Sequence, residues 1–343
     1  MVIPQWDSLR QPHNFRTLKG LSYDDVMLVP KKGVLDSRKD ADISSEFIPG
    51  IKLEIPIISA PMSSVTETDM AVAMANLGAG AVIHRFTQQQ EQMFNNSMRM
   101  QRFSGNIACA IGLKNVEHQI RDLESYECNI FVLDVAHAHC ERVEKFLEEE
   151  WWVHKDHSHI IVGNIATAEA ARFLMELQVD GIKVGIGPGA ACTTREVTGF
   201  GVPQLSAIME VRDQIEKSVA AGCKRPTLIA DGGIKNSGDI VKALAAGADT
   251  VMLGRLLAGA DEAPHPGEYF GMASKRVNNH NAPEGAEGQV EKTGPVADTI
   301  KQLAWGIRSG VSYGGARNLQ ELRENAEWIK LATGVAQESG VRF

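Results

Sequence analysis

Short apolar runs alternate with longer stretches of mixed polarity from residue 55 to residue 253, and that alternation predicts the architecture. Residues 55–59 read Ile-Pro-Ile-Ile-Ser, a run of strand length, and residues 68–77 then repeat apolar positions at helical spacing. The same pair recurs, with strands predicted at 80–83, 107–111, 130–134, 160–164, 181–185, 227–231 and 250–253. The helices after them are predicted to about 102, to about 123, and over 138–149, 168–177, 204–219, 237–246 and, after an interruption, 297–308. Strands that are apolar throughout are buried on both faces, as parallel strands covered by helices are. Eight such pairs fit a closed (β/α)8 barrel, the TIM barrel, better than an open doubly wound sheet. The chain therefore reads as one α/β domain over 1–343. Residues 21–30 alternate loosely and predict a short preliminary strand or cap, and the tail predicts a helix over 325–332. The interruption, 258–293, is rich in Gly, Pro, Asn and Glu and is too long for a simple connector. Its position after the eighth strand predicts a mobile flap over one rim of the barrel.

Barrels of this kind place their chemistry at the carboxyl ends of the strands. Here those ends read Ala60-Pro61-Met62, His84-Arg85, Asp134, Gly163-Asn164, Asp231-Gly232-Gly233 and Gly254-Arg255, so polar and glycine residues collect on one rim. The sixth end is the richest: Lys183-Val184-Gly185-Ile186-Gly187-Pro188-Gly189-Ala190-Ala191-Cys192-Thr193-Thr194-Arg195. Three glycines in one loop allow the backbone to approach a bound anion, ion or flat base closely. Cys192 is the candidate nucleophile, and Arg195 with the start of a following helix would favour its thiolate. At the seventh and eighth ends, the amides of Gly233 and Gly254 with the fork of donors on Arg255 suit a phosphate, and the Asp231 carboxylate suits ribose hydroxyls. A nucleoside monophosphate is the ligand that set predicts. His137-Ala138-His139 has the ligand types for a metal but lacks further ligands on the neighbouring strand ends. His84-Arg85 reads as a satisfied pair on the rim or a charge partner for Asp134.

Composition narrows the classes. At 343 residues, 43% hydrophobic and 23% charged, with a formal charge of -8, the chain has no basic footprint for nucleic acid. An anionic substrate must then be held locally. Five widely spaced cysteines without a Cys-x-x-Cys pair argue for reduced thiols rather than a disulfide framework. No stretch has the length and apolarity of a membrane span, so a cytoplasmic location is expected.

Ser59-Ala60-Pro61-Met62, Gly187-Pro188-Gly189-x-x-Cys192-Thr193-Thr194-Arg195, Thr198-Gly199-Phe200-Gly201-Val202-Pro203-Gln204, Ala230-Asp231-Gly232-Gly233-Ile234 and Tyr269-Phe270-Gly271-Met272 together resemble the IMP dehydrogenase and GMP reductase family. The resemblance runs from Leu21 to about Leu322. It implies that Cys192 attacks C2 of a purine nucleotide to form a covalent thioimidate. It also implies Thr194 and Glu284 as its catalytic partners and Met62, Asp231, Gly233, Gly254, Arg255, Tyr269, Gly271 and Met272 as the nucleotide site. Asp134, Asn164 and Arg85 then fall on the nicotinamide side, and a monovalent cation could sit on the carbonyls of Gly187, Gly189 and Cys192. The family usually has Ser or Gly at the position of Arg255. A tetramer is the assembly the family implies.

Two activities share this chemistry. IMP dehydrogenases usually insert a CBS pair after the second barrel unit and carry an Arg-Tyr pair in the flap whose arginine activates water. This chain has neither, and its flap reads Ser274-Lys275-Arg276-Val277-Asn278-Asn279-His280-Asn281-Ala282-Pro283-Glu284. A GMP reductase using NADPH needs no hydrolysis, only a proton relay such as Thr194 and Glu284. That activity is the one expected. IMP dehydrogenase with NAD is the alternative, favoured by Ser59-Ala60-Pro61-Met62 and residues 198–204 and open to Arg276 or His280 as a replacement activator. A non-catalytic purine nucleotide-binding paralogue is a third reading, opposed by the retention of Cys192, Thr194 and Glu284 together.

Overall fold

The computed structural model describes residues 20–100, 106–277 and 283–332. Eight parallel strands close into a barrel: β1 Ile57–Ser59, β2 Gly80–Ile83, β3 Ile107–Ile111, β4 Ile130–Asp134, β5 His159–Ile165, β6 Gly181–Val184, β7 Thr227–Asp231 and β8 Thr250–Leu253. Closure is made by β8 on β1, with Val251 opposite Ile57 and Leu253 opposite Ser59. The helices α1 Thr68–Asn76, α2 Gln90–Met100, α3 Val116–Glu124, α4 Glu141–Lys145, α5 Ala168–Glu176, α6 Gln204–Ala220, α7 Ser237–Ala245 and α8 Val296–Tyr313 surround it.

Because side chains alternate along a strand, each run supplies two cores. Ile58, Val82, Ala108, Ala110, Val132, Ile161 and Ile229 fill the barrel, while Ile57, Ala81, Cys109, Phe131 and Leu133 meet the helices. The barrel filling continues into a hairpin that precedes β1. Its strands Ser45–Ile48 and Ile51–Leu53 pair antiparallel, and Phe47, Ile48 and Leu53 are fully buried with the barrel interior. The Thr227 hydroxyl, at the start of β7, donates to the Phe47 carbonyl at 2.9 Å, which places this plug at the amino-terminal mouth. On the same face Asp180 accepts the Ile160 amide at 2.9 Å and Asp249 accepts the Leu228 amide at 2.8 Å. With that mouth filled, open space is left at the carboxyl ends.

Several expectations need correction. The helix expected over 138–149 starts only at Glu141, because the Ala138 amide is held by the Asn164 carbonyl at 2.9 Å; it then passes into a π turn over Phe146–Glu150 and a 3₁₀ turn over Trp151–Val153. The tail helix expected over 325–332 is instead a helix over Leu319–Asn325 followed by a strand, Trp328–Lys330. That strand pairs antiparallel with Val26–Leu28, and this partner lies too far away in sequence for local pattern to reveal it. Residues 21–30 do form the short strand expected there, after one 3₁₀ turn at Tyr23–Asp25. The last barrel helix extends to Tyr313, further than 308.

Within 258–293, Glu268–Phe270 pairs antiparallel with Glu287–Gln289, so the segment has a two-stranded base beside the rim. His280 lies outside the described residues, as do residues 101 and 102 at the expected end of the second helix. No helix among the described residues is long and apolar enough to cross a membrane.

Candidate active site

A cavity of about 1300 Å³ opens at the carboxyl ends of the strands, and every residue that the family resemblance assigned to the catalytic, nucleotide, cofactor and cation positions lines it. The loop after β6 supplies the thiol. At Gly185 a Cβ would stand 2.1 Å from the Asp231 carbonyl oxygen, so only glycine lets β6 and β7 come this close as the loop departs. Cys192 then lies against the flap, forming an antiparallel bridge with Gly285, and the Ala286 amide donates to the Ala191 carbonyl at 2.8 Å. The Cys192 thiol donates to the Thr194 hydroxyl at 3.2 Å, and that hydroxyl donates to Glu284 Oε2 at 2.8 Å. The Thr193 amide fixes the Glu284 main chain through its carbonyl, at 3.0 Å. Thiol, hydroxyl and carboxylate thus form one line across two loops, all three side chains partly open to the cavity. Arg195 takes a different position from the one its sequence proximity suggests. Its Nη2 donates to the Val202 carbonyl at 2.7 Å, and its stem lies where a Cβ on Gly187 would be, so it braces the glycine loop.

The residue missed by the sequence reading is Lys183 on β6. Its side chain is 3% exposed, and Nζ donates to Asp134 Oδ1 and Asp231 Oδ2, each at 2.9 Å, and to Asn164 Oδ1. Three donors meet three acceptors, so the ammonium is saturated. Burial alone would push the lysine pKa down; Asp134 and Asp231 outweigh it and hold the group above its ordinary value, hence charged. Asn164 uses both amide hydrogens, to the Gly185 carbonyl at 2.7 Å and to Asp231 Oδ2 at 3.0 Å. One oxygen of each aspartate is consumed, and the other carries no hydrogen bond from the described residues. The signal in the sequence was a lysine inside the apolar run Gly181-Ile182-Lys183-Val184. Lys183→Met should lower stability by about 1.5–3 kcal/mol, because it removes the charge-assisted bonds to two half-buried carboxylates and leaves them facing each other across the rim. Urea denaturation measures this, and unchanged stability would show that the ion pairs do not hold the rim together.

Of the two readings of His84-Arg85, a charge partner for the Asp134 carboxylate is not what Arg85 forms. Its Nη2 reaches the Asp134 main-chain oxygen at 3.4 Å, its guanidinium lies over the Phe86 ring at 4.5 Å, and its Nε is buried without a partner. His84 turns away to Glu67, at 3.3 Å. His137 and His139 meet edge to face, with His139 also against Phe173, and form no three-ligand cluster among the described residues.

At the opposite end, Gly254 is crowded by Tyr269 and Met62: a Cβ there would meet Tyr269 Oη at 2.9 Å and Met62 Sδ at 3.1 Å. Burial first, then Asp231, raise the Tyr269 pKa, while Arg255 opposes them, so the phenol keeps its proton. Ser63 donates its amide to Met272 Sδ at 3.4 Å. Tyr23, a second residue the sequence did not flag, packs its ring near Gly233; its hydroxyl is buried without a partner, and burial, Asp239 and Asp231 hold its pKa up. It too lines the cavity.

A thiol, a hydroxyl and a carboxylate thus stand in one hydrogen-bonded line at the carboxyl-end rim of a (β/α)8 barrel, the rim where barrels of this kind carry their active sites. The chain belongs to the IMP dehydrogenase / GMP reductase domain family, whose description matches residues 20–342. It is 33% identical over 390 aligned residues to inosine-5'-monophosphate dehydrogenase of Cryptosporidium parvum, covering 94% of this chain and 95% of that one. It is 30% identical over 482 aligned residues to GMP reductase of Leishmania donovani, with 94% and 96% covered. Over 236 residues, 62% of this chain and 47% of the relative, it is 43% identical to inosine-5'-monophosphate dehydrogenase of Aquifex aeolicus. Both activities of the family are oxidoreductions of a purine nucleotide with a nicotinamide cofactor.

Proposed function

We propose that this protein is a GMP reductase, converting GMP to IMP and ammonia at the expense of NADPH. The observation that carries this reading is the line from Cys192 through Thr194 to Glu284, which can move a proton to a leaving amine. The Cys192 thiolate attacks C2 of the purine, and the amine leaves as ammonia once it has taken a proton relayed by Thr194 and Glu284. The resulting thioimidate accepts a hydride at C2, and collapse expels the thiolate and gives IMP. The nicotinamide cofactor supplies that hydride. The cavity suits two ligands side by side, being larger than the roughly 300–1,000 Å³ of a single-ligand pocket, and the orphaned Nε of Arg85 offers a buried donor on the cofactor side. In this reading Asp134, Asn164 and Arg85 hold that side, while the free oxygen of Asp231 takes the ribose hydroxyls. Gly233, Gly254, Tyr269 and Arg255 take the phosphate, with the Tyr23 hydroxyl added to them, and Met62, Gly271 and Met272 flank the base.

Support against hydrolysis comes from Arg276, a residue that could have activated water. It pairs with Glu268 at 2.6 Å and lies over the Phe270 ring at 4.3 Å, and it does not line the cavity. IMP dehydrogenase stays the second reading, because this chain is 33% and 43% identical to two dehydrogenases of the family and 30% identical to a reductase. Purified protein mixed with GMP and NADPH, and separately with IMP and NAD, distinguishes them: the first mixture should lose reduced-cofactor absorbance and the second should gain none.

The proposal extends to assembly and order. The chain acts as one barrel domain over 1–343, the segment 258–293 moves as the flap that brings Glu284 to Thr194, and the protomers form a tetramer in the cytoplasm. The carbonyls of Gly187, Gly189 and Cys192 are hard oxygen donors on one turn and suit a monovalent cation; Gly189 retains a lone pair beyond the one that accepts the Cys192 amide at 3.0 Å. Arg255, exposed at the mouth, adds a cation at the phosphate end. Arg255→Ser should weaken GMP binding about five- to tenfold, below the full value of a charge-assisted bond because solvent screens it. Calorimetric titration measures this, and an unchanged dissociation constant would place the guanidinium in solvent.

A further inference from the structure

On the face opposite the cavity, two histidines and a glutamate converge without a role in the chemistry above. Glu124 ends α3, and His154 and His157 lie in the turn that leads into β5. His154 Nδ1 stands 2.9 Å from Glu124 Oε1 and His157 Nε2 stands 3.7 Å from the same oxygen. The three ligand atoms all lie within 4.8 Å of one another, and no other such cluster occurs among the described residues. We propose that Glu124, His154 and His157 bind a divalent transition ion of the zinc class, stapling the end of α3 to the entrance of β5.

Two imidazole nitrogens and one carboxylate oxygen are the donor set that borderline ions take, with a fourth position left to water. Bonds of about 2.0–2.2 Å in a tetrahedron set ligand atoms about 3.3 Å apart. The observed separations of 2.9 and 3.7 Å straddle that value, so small side-chain adjustments would admit the ion. Ser158 donates to Glu124 Oε1 at 3.1 Å, an orienting contact of the kind metal-ligating carboxylates carry. Lys155, which lies between the two histidines in sequence, has its ammonium over the Trp152 ring. His154 is 5% exposed, and its Nε2 is buried without a hydrogen-bond partner. Coordination through Nδ1 moves the ring proton to that nitrogen, where nothing accepts it, so the affinity expected is micromolar rather than nanomolar. The site is independent of the proposed reaction and shares no residue with it.

The test uses the full chain, without a polyhistidine tag, stripped with a chelator, and carrying Cys192→Ala so that the loop thiol cannot capture metal. Calorimetric titration with Zn2+ should give one micromolar site, and Co2+ should give the visible absorption of a low-coordinate nitrogen–oxygen complex. His157 is 63% exposed, so His157→Ala leaves packing intact, and Glu124→Gln keeps the side-chain volume. Each should weaken that site by at least about tenfold. Absence of Zn2+ binding, or binding unchanged in both variants, would overturn the proposal.

Discussion

Cys192→Ala should abolish turnover, by about 10⁴-fold or more, while GMP binds nearly as before. The size follows from what the thiol does in the proposed reaction, where it forms the bond through which the amine leaves and the hydride arrives, and no neighbour can replace it. Thr194 cannot, because an alkoxide is a far poorer leaving group than a thiolate and an oxygen adduct would not collapse to product. The contacts proposed for binding lie on other elements: Asp231 on β7, Gly254 after β8 and Tyr269 in the strand Glu268–Phe270. Steady-state rates and a calorimetric titration separate the two effects. Turnover within tenfold of the parent would remove the covalent mechanism, and loss of binding in parallel would show that Cys192 holds the loop rather than attacks.

Glu284→Gln should slow GMP reduction by about 10²–10⁴-fold, the range for lost general acid-base help, with little change in GMP affinity. The substitution keeps one oxygen to accept the Thr194 hydroxyl and keeps the main-chain contact from the Thr193 amide, so the loop and flap stay joined. Only the carboxylate's ability to carry a proton is removed. A wild-type rate of GMP reduction in this variant would exclude the relay as the source of the proton. A rise in KM with unchanged kcat would instead assign Glu284 to binding.

The barrel was legible because its eight strands are predominantly apolar runs, and the cavity residues because they sit where each run stops. Asp134, Asn164, Asp231 and Cys192 could be read from position alone. Their connection could not. Lys183 joins Asp134, Asn164 and Asp231 across four adjacent strands, a meeting that exists only once the sheet has curved into a barrel. The same limit hid the plug formed by Phe47 and Leu53, and the pairing of Val26–Leu28 with Trp328–Lys330 across nearly the whole chain. Arg195 and Arg276 show the converse. Both looked available beside the chemistry in sequence, yet the Val202 carbonyl holds one and Glu268 holds the other.

The proposed reaction removes an amine that a dehydrogenase reaction never sees, so product analysis tests it most directly. With GMP and NADPH, the protein should release ammonia and IMP in equal amounts, one of each for every NADPH oxidised, and the Cys192→Ala variant should release neither. Production of XMP and reduced cofactor from IMP and NAD, with GMP left intact, would contradict the reductase assignment.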